Sequence, residues 1–376
     1  MKIVYCIPST FNSGGMERIL CLKASFLADV KGYDVTIVTT EQKGRNRFFD
    51  FSKKIKFIDL GINYRDFKNN KLREIISFPF LQLKHKNKLS KILKQIKPDF
   101  TVSMFQEEAF ILPLIKDGSK KIIESHFYKN YRHILNNKGF KKIINDFRAK
   151  KDERTIKKFY KFVTLTEEDK MEWSHKDNIT VIPNPITIDY STDPTGNRSK
   201  KVLLVGRFNP QKGLERVIEI WNQIEPHFPD WKLTIIGNQD DKSYVNNIKN
   251  LISKYNLKQI ELKEAVPDIL KEYDDSEILV MTSIYEGLPL SLIEGMSRGL
   301  PLIAYDCKCG PKEIIRDGIN GYLIKNGDKD SFVQKLKSLM EDSELRNEMR
   351  NNALSISRNY EILPIMDKWT KLFSID

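Results

Sequence analysis

Cysteine is scarce: only Cys6, Cys21, Cys307 and Cys309 occur in 376 residues. So small a supply excludes a disulfide framework and fits thiols kept reduced in a cytoplasm. Cys307 and Cys309 are one residue apart, which does not match the spacing of a zinc ribbon. No apolar run approaches the roughly eighteen residues needed to cross a bilayer. The apolar part of MKIVYCIPST is too short for a secretory signal and reads as a first core strand. Repeats of solenoid length and low-complexity tracts are missing too. Acid is in deficit, 63 Lys and Arg against 50 Asp and Glu, so the formal net charge is +13. An anionic partner is therefore expected, and nucleic acid, a membrane surface or a phosphorylated substrate would qualify. No helix-turn-helix, zinc-finger or RNA-recognition signature accompanies the charge.

What is present describes a folded protein: 40% of residues are hydrophobic and 30% charged. The length suits two domains better than one core. Apolar runs at 2–8, 34–40, 55–60, 99–104, 121–125, 162–166 and 179–182 alternate with helical patterns, which argues for a parallel sheet with crossover helices. Pro79 is expected to interrupt the helical region between Lys71 and Lys97. From Pro183 to Lys200 prolines and polar residues replace the periodicity, and this reads as a linker. Alternation resumes at Lys201, with strands ending near Gly206 and at 231–237, 259–264, 277–283 and 301–305.

The stretch 281–298, MTSIYEGLPLSLIEGMSR, is the most informative. A strand ends, Glu286, Gly287, Leu288 and Pro289 make a turn, and a helical pattern opens at once. Free N–H groups and the helix dipole favour an anion there. Glu286 and Glu294 bracket the turn with seven residues between them. Carboxylates repel anions, so their expected task is to accept hydrogen bonds from hydroxyls attached to the phosphate. A sugar nucleotide carries that mixture of groups.

A second stretch, KVLLVGRFNPQKGLERV, sets Arg207 and Lys212 around one strand-to-helix turn, able to point the same way. Arginine offers a planar fork to phosphate oxygens and lysine a point charge. Near the start, Gly14 and Gly15 stand where a strand gives way to a helix, so backbone could approach a phosphate closely. The loop lacks G-x-G-x-x-G, which counts against a dinucleotide site, and a tight turn without ligand is the plain alternative. His126 follows the strand KKIIES directly, at the carboxyl end where ligands collect in parallel sheets, although a packed or capping histidine would look the same.

Glu286-x7-Glu294 within YEGLPLSLIEGMSRGLPLIAYD resembles the signature of retaining glycosyltransferases with the GT-B fold, family 4 in particular. GR-x4-KG, STFNSGGMER and ESHF resemble the same family's other motifs, and the resemblance covers nearly the whole chain. It implies an α/β GT-B protein: two Rossmann-like domains facing a central cleft, with a C-terminal helix crossing back to the N-terminal domain. The boundaries expected are 1–184 plus a helix at about 358–376 for the acceptor domain, a linker at 185–200, and 201–357 for the donor domain.

The resemblance further implies transfer of a hexosyl or N-acetylhexosaminyl unit from a UDP-sugar to a saccharide acceptor. A lipid-linked saccharide or a surface-polysaccharide precursor is the acceptor expected. His126, Arg207, Lys212 and Glu286 are the implied catalytic residues. Gly14, Gly15, Val266, Gly287, Leu288, Pro289, Leu290 and Glu294 are the implied donor contacts, with Glu294 on the ribose and Val266 near the base. A glycine expected shortly before Val266 is missing, and Glu264 and Ala265 stand there instead. No metal or other cofactor is expected: Asp328 and Asp330 only superficially form D-x-D, and Asp328 reads as a helix cap with Asp330 in the first turn. A sugar-nucleotide-binding protein without turnover, or a GT-B epimerase or phosphorylase, would share much of this pattern.

Two basic segments, 84–97 and 138–161, remain. In the second, Phe140, Ile143, Ile144 and Phe147 fall at i, i+3, i+4 and i+7, one apolar face beside a cationic one. Packing of that apolar face on the domain core is the plain reading. The one-sided charge points further, to peripheral association with an anionic membrane on its cytoplasmic face and not to nucleic acid.

Overall fold

The computed structural model describes residues 1–67, 71–135, 138–189, 198–266 and 268–374. It divides into two units, Met1–Pro183 with Ile365–Asp376, and Asn184–Pro364.

The first unit carries a seven-stranded sheet: β1 (Lys2–Ile7), β2 (Asp34–Thr39), β3 (Lys56–Asp59), β4 (Phe100–Ser103), β5 (Lys120–Glu124), β6 (Lys161–Thr164) and β7 (Ile179–Val181). Their order is β3-β2-β1-β4-β5-β6-β7, every pairing parallel. In β1, KIVYCI is buried after its first residue, as a central strand covered on both faces must be. Leu89 and Leu93 from the long helix Lys71–Ile96 pack into a core with Ile123, Phe162 and Trp173, the two rings meeting edge to face at 4.8 Å.

The second unit has six parallel strands: β8 (Lys201–Val205), β9 (Lys232–Ile236), β10 (Ile260–Lys263), β11 (Ile278–Met281), β12 (Leu302–Asp306) and β13 (Gly321–Lys325). Their order, β10-β9-β8-β11-β12-β13, reverses between β8 and β11. At such a switch point the loops leaving the strand ends part and form a crevice. The loops after β8 and β11 are those that hold Arg207, Lys212 and Glu286. Trp221, Phe332, Leu336 and Ile303 belong to the core that fixes these strands.

Four features differ from the sequence reading. The helix Lys71–Ile96 continues through Pro79; the buried Leu81, His85, Leu89 and Leu93 that follow hold it in place despite the lost backbone bond. β13 was not anticipated, because GYLIK is a short run between glycine turns. The segment expected as a linker does not stand apart: its described residues fall in the second unit, while 190–197 lie outside the described residues. The last helix, Ile362–Phe373, begins before the division at Ile365, and its buried residues Ile365, Met366, Trp369, Leu372 and Phe373 pack in the first unit, where Phe373 meets Phe100 at 5.1 Å between ring centroids.

The helix Phe140–Ile156 is also turned the other way from the plain reading. Ile143 is 64% and Phe147 68% exposed, and Ile144 is exposed too, whereas Asn145, Asp152, Thr155 and Ile156 are buried. Polar contacts decide this. Arg132 donates to Asp152 at 2.7 Å, and the Asn145 amide donates to the Arg132 carbonyl at 3.0 Å. The side chain of Phe140 lies outside the described residues.

Candidate active site

In the second unit β8 runs out at Val205, and Gly206 and Arg207 lead into a tight turn at Pro210–Lys212. Gly213 follows with φ of 60°, and a Cβ there would come within 2.5 Å of the Thr282 carbonyl, so a side chain is excluded twice over. Thr282, just beyond β11, uses its hydroxyl to bond the carbonyls of Gly213 at 3.0 Å and Lys212 at 3.2 Å. Gln211 binds the Tyr285 carbonyl through its side chain at 3.0 Å and accepts from the Ile284 N–H at 2.8 Å. These bonds stitch the loop after β8 to the loop after β11.

The stitching sets Nζ of Lys212 2.7 Å from Oε1 of Glu286, both side chains largely buried. Two residues chosen from separate motifs thus form one ion pair. Arg207, five residues before Lys212 in the same loop, is exposed, with no ion pair to a described carboxylate. Glu286 is fixed from behind by its N–H to the Lys308 carbonyl at 2.8 Å. Gly287, Leu288 and Pro289 then turn the chain into the helix Leu290–Ser297. Gly310, at φ 99°, lies so close that a Cβ would stand 2.4 Å from Pro289. The first N–H groups of this helix have no acceptor within it, and its first turn contains no acid, which favours an anion at that end.

Glu294 is buried one face further along this helix. Its Oε2 accepts from the Tyr273 hydroxyl at 2.8 Å, and its Oε1 from the Thr187 hydroxyl. The carboxylate acts as a double acceptor for hydroxyls, here supplied by the protein. Val266 is half-buried after β10, the edge strand two places from β8. Asp328 caps the helix Lys329–Glu341 through the Ser331 N–H at 3.1 Å, and Asp330 lies in the first turn.

Four further residues of this region carry no signal of their role in the sequence. Tyr273 and Thr187 hold Glu294 from 21 and 107 residues away, a separation without local signal. Oδ1 of Asn209 and Oγ of Ser283 are buried without a hydrogen-bond partner among the described residues, in the loops after β8 and β11. Unsatisfied buried polar atoms of this kind mark groups available to a ligand.

In the first unit Gly14 precedes the helix Gly15–Asp29 in an extended conformation. Its missing side chain makes room for the Glu17 carboxylate, whose Oε2 a Cβ would approach to 2.3 Å. Asn12 donates to the other oxygen of Glu17 at 3.2 Å. His126 stands two residues beyond β5, with Nε2 3.1 Å from Oε1 of Glu124. Elsewhere in this unit, Lys129, Lys150, Arg154 and Lys157 line a cavity of about 600 Å³ together with Asp146 and Glu153.

Residues 193–355 match the family described as Glycosyl transferases group 1. The amylovoran biosynthesis glycosyltransferase AmsD of Erwinia amylovora is 33% identical over 393 residues, covering 99% of each chain. The chain belongs to the group 1 glycosyl transferases. A Campylobacter jejuni enzyme named as an α-1,4-N-acetyl-D-galactosaminyltransferase acting on an undecaprenol-linked saccharide is 25% identical over 383 residues, covering 100% of this chain and 98% of the other. TarM of S. aureus, solved with fondaparinux, α-GlcNAc-glycerol and UDP, shares the fold with a TM-score of 0.78 at 18% identity, each chain covered completely. This glycosyltransferase thus has the GT-B fold that its motifs led one to expect. Arg207, Lys212, Glu286 and Glu294 lie inside the matched range, whereas Gly14, Gly15 and His126 precede it.

Proposed function

We propose that this glycosyltransferase is a retaining, metal-independent enzyme of family 4 that moves a hexosyl or N-acetylhexosaminyl unit from a UDP-sugar to a saccharide acceptor. The observation that carries the reading is the 2.7 Å contact between Lys212 and Glu286 at the sheet's switch point, beside the helix start at Leu290. A carboxylate next to a diphosphate would repel it. Neutralised by Lys212, Glu286 can accept sugar hydroxyls while Arg207 and the helix N-terminus still attract phosphate.

In the proposed reaction the bond from the sugar's anomeric carbon to the diphosphate oxygen breaks, and a bond to an acceptor hydroxyl oxygen forms on the same face. The hydroxyl proton passes to the departing phosphate. Negative charge grows on that phosphate, and Arg207, Lys212 and the N–H groups near Leu288 to Leu290 are the proposed stabilisers, the largest catalytic contribution. Glu294 takes the ribose hydroxyls, and Val266 lies toward the base. From the first unit, His126 is assigned to the donor sugar and Gly14 and Gly15 to the phosphates. UDP as carrier is supported by the nucleotide named with TarM. A lipid-linked or surface-polysaccharide acceptor is supported by the names of the Campylobacter and Erwinia relatives.

We further propose a peripheral position on the inner face of a membrane. The helix Phe140–Ile156 turns Ile143, Ile144 and Phe147 outward among Lys141, Lys142, Arg148 and Lys151. On the helix Lys71–Ile96, Ile76, Phe80 and Leu83 are exposed at i, i+4 and i+7, with Phe80 at 72%. Apolar side chains ringed by cations suit the boundary of an anionic bilayer.

A thermal-shift panel of UDP-, GDP- and ADP-sugars tests the donor, because a ligand raises the unfolding temperature according to its affinity. A UDP-sugar is expected to give the largest shift. Transfer with that donor should continue in EDTA and yield product with the donor's anomeric configuration, read by NMR coupling constants. Loss of activity in EDTA that magnesium restores, or an inverted product, would overturn the mechanism.

A further inference from the structure

Glu124 opens the stretch ESHF, but the residue it pairs with, Lys23, belongs to none of the family-like motifs. Both side chains are 1% exposed. Lys23 projects from the helix Gly15–Asp29, and its Nζ contacts Oε1 of Glu124 and lies 2.6 Å from Oε2. The same Nζ stands 4.1 Å from the centroid of the Trp369 ring and 5.8 Å from that of Tyr5. Glu124 is the last residue of β5, and its Oε1 also lies 3.1 Å from Nε2 of His126, off the line of a straight hydrogen bond. The groups beside the carboxylate are Lys23 from the first helix and His126, and its charge also acts on the buried Tyr5 from β1. The Tyr5 hydroxyl has no hydrogen-bond partner among the described residues.

Burying two charges is expensive, and a well-packed apolar pair is often at least as stable. Stability alone does not explain why a lysine and a glutamate occupy this core. What the pair supplies is a lasting negative charge beside one imidazole nitrogen. Burial by itself would raise the Glu124 carboxyl, but the attraction of Lys23, followed by that of His126, outweighs it and holds the group at about 2. The carboxylate consequently stays ionised through the physiological range.

We infer that Glu124 is a positioning residue for His126, that Lys23 keeps it charged, and that Trp369 of the last helix holds Lys23 in place. Although Nε2 makes no hydrogen bond to it among the described residues, the carboxylate's negative charge 3.1 Å away favours the imidazole proton on that nitrogen and leaves Nδ1 as the acceptor. The logic is that of a histidine oriented by a buried acid in hydrolases, transferred to another reaction. This inference rests on the assignment of His126 to the donor sugar.

The test uses the full chain, the UDP-sugar giving the largest thermal shift, UDP release as the assay, and ¹⁵N-labelled histidine for NMR. In the wild type, His126 should appear as the Nε2–H tautomer. Glu124→Gln should lower kcat by roughly tenfold or more with KM little changed, and should lose that tautomer signature. Lys23→Met alone leaves a buried, unpaired carboxylate and threatens folding, so it is paired with Glu124→Gln, which makes the site neutral. The double variant should recover a cooperative, wild-type-like unfolding transition while kcat stays low, and Lys23→Arg alone, which keeps the positive charge beside Glu124, should retain most of kcat. Wild-type kcat and a wild-type His126 spectrum in the double variant would overturn the inference, because the pair would then be structural only. A wild-type rate in His126→Ala would instead overturn the assignment of His126 itself, and the tautomer signal separates the two failures.

Discussion

Nζ of Lys212 lies 2.7 Å from Oε1 of Glu286, although 74 residues separate them in the chain. Each charge compensates the other in a largely buried place, so removing one leaves its partner exposed to the full cost of burial. Lys212→Ala and Glu286→Ala should each lower kcat by roughly 10² to 10³ with unfolding still cooperative. Because the two act as a unit, the double variant should be little worse than the weaker single variant. Rates that multiply across the pair in steady-state assays would mean that the two side chains work independently.

Tyr273 and Glu294 offer a milder test. The tyrosine is fully buried, and its hydroxyl, 2.8 Å from Oε2 of Glu294, orients that carboxylate. Tyr273→Phe removes the hydroxyl's hydrogen bond to Glu294 and its longer contact to the Ser291 carbonyl at 3.5 Å, with almost no volume, a change of about 1 kcal/mol. The donor KM should rise roughly fivefold, the same energy expressed as affinity, with kcat nearly unchanged. Glu294→Gln should raise KM further, since it weakens both hydroxyl contacts. Calorimetric titration with UDP reads the effect directly, and unchanged affinity in both variants would remove Glu294 from nucleotide binding.

The fold was legible where apolar strands ended in marked turns. KVLLVG and the run before Glu286 announced β8 and β11, and the loops after them held the candidate donor residues. GYLIK was missed because five residues at a sheet edge carry little pattern. The helix at 140–156 was visible, but not which side it buries, because the Arg132 contacts to Asp152 and Asn145 outweigh its apolar spacing. Likewise Tyr273, Thr187 and Lys23 meet their glutamates 21 to 107 residues away, and only packing reveals them. Pro79 shows the opposite failure, a strong local rule overridden by the buried residues that follow it.

The outward-facing Ile143 and Phe147 lead to a prediction about lipid. Sedimentation with vesicles containing phosphatidylglycerol should capture the wild type, and vesicles of phosphatidylcholine alone should capture less. Ile143→Ser with Phe147→Ser removes apolar area worth about 1.5 kcal/mol per side chain, so partitioning should fall at any salt concentration. Lys141→Glu with Lys142→Glu should weaken capture only at low salt, since charge at the surface is screened within about a Debye length. Equal sedimentation of all three proteins would leave these residues as ordinary surface.

A last prediction concerns pH. Glu108 lies in the turn Glu107–Phe110 after β4, buried, with its Oε1 accepting from the Ser103 hydroxyl at 2.8 Å and the Gln106 N–H at 3.2 Å. Burial raises its carboxyl to about 7, and the hydrogen bonds offset only part of the rise. The folded state therefore keeps this proton at pH values where the unfolded chain has released it. Its contribution is complete below the ordinary carboxylate range and is lost as pH climbs from about 4.5 to about 7, by about 3 kcal/mol in all. Glu108→Gln cannot ionise and still accepts through its carbonyl. Asp169, raised mainly by burial to about 6, and His85, lowered by burial to about 4, titrate alike in both proteins. They cancel when urea unfolding of the variant is compared with that of the wild type at each pH. The variant should gain stability relative to the wild type between pH 4.5 and 7, and the difference should level off above pH 7. A constant difference across that range would mean that Glu108 ionises normally in the fold.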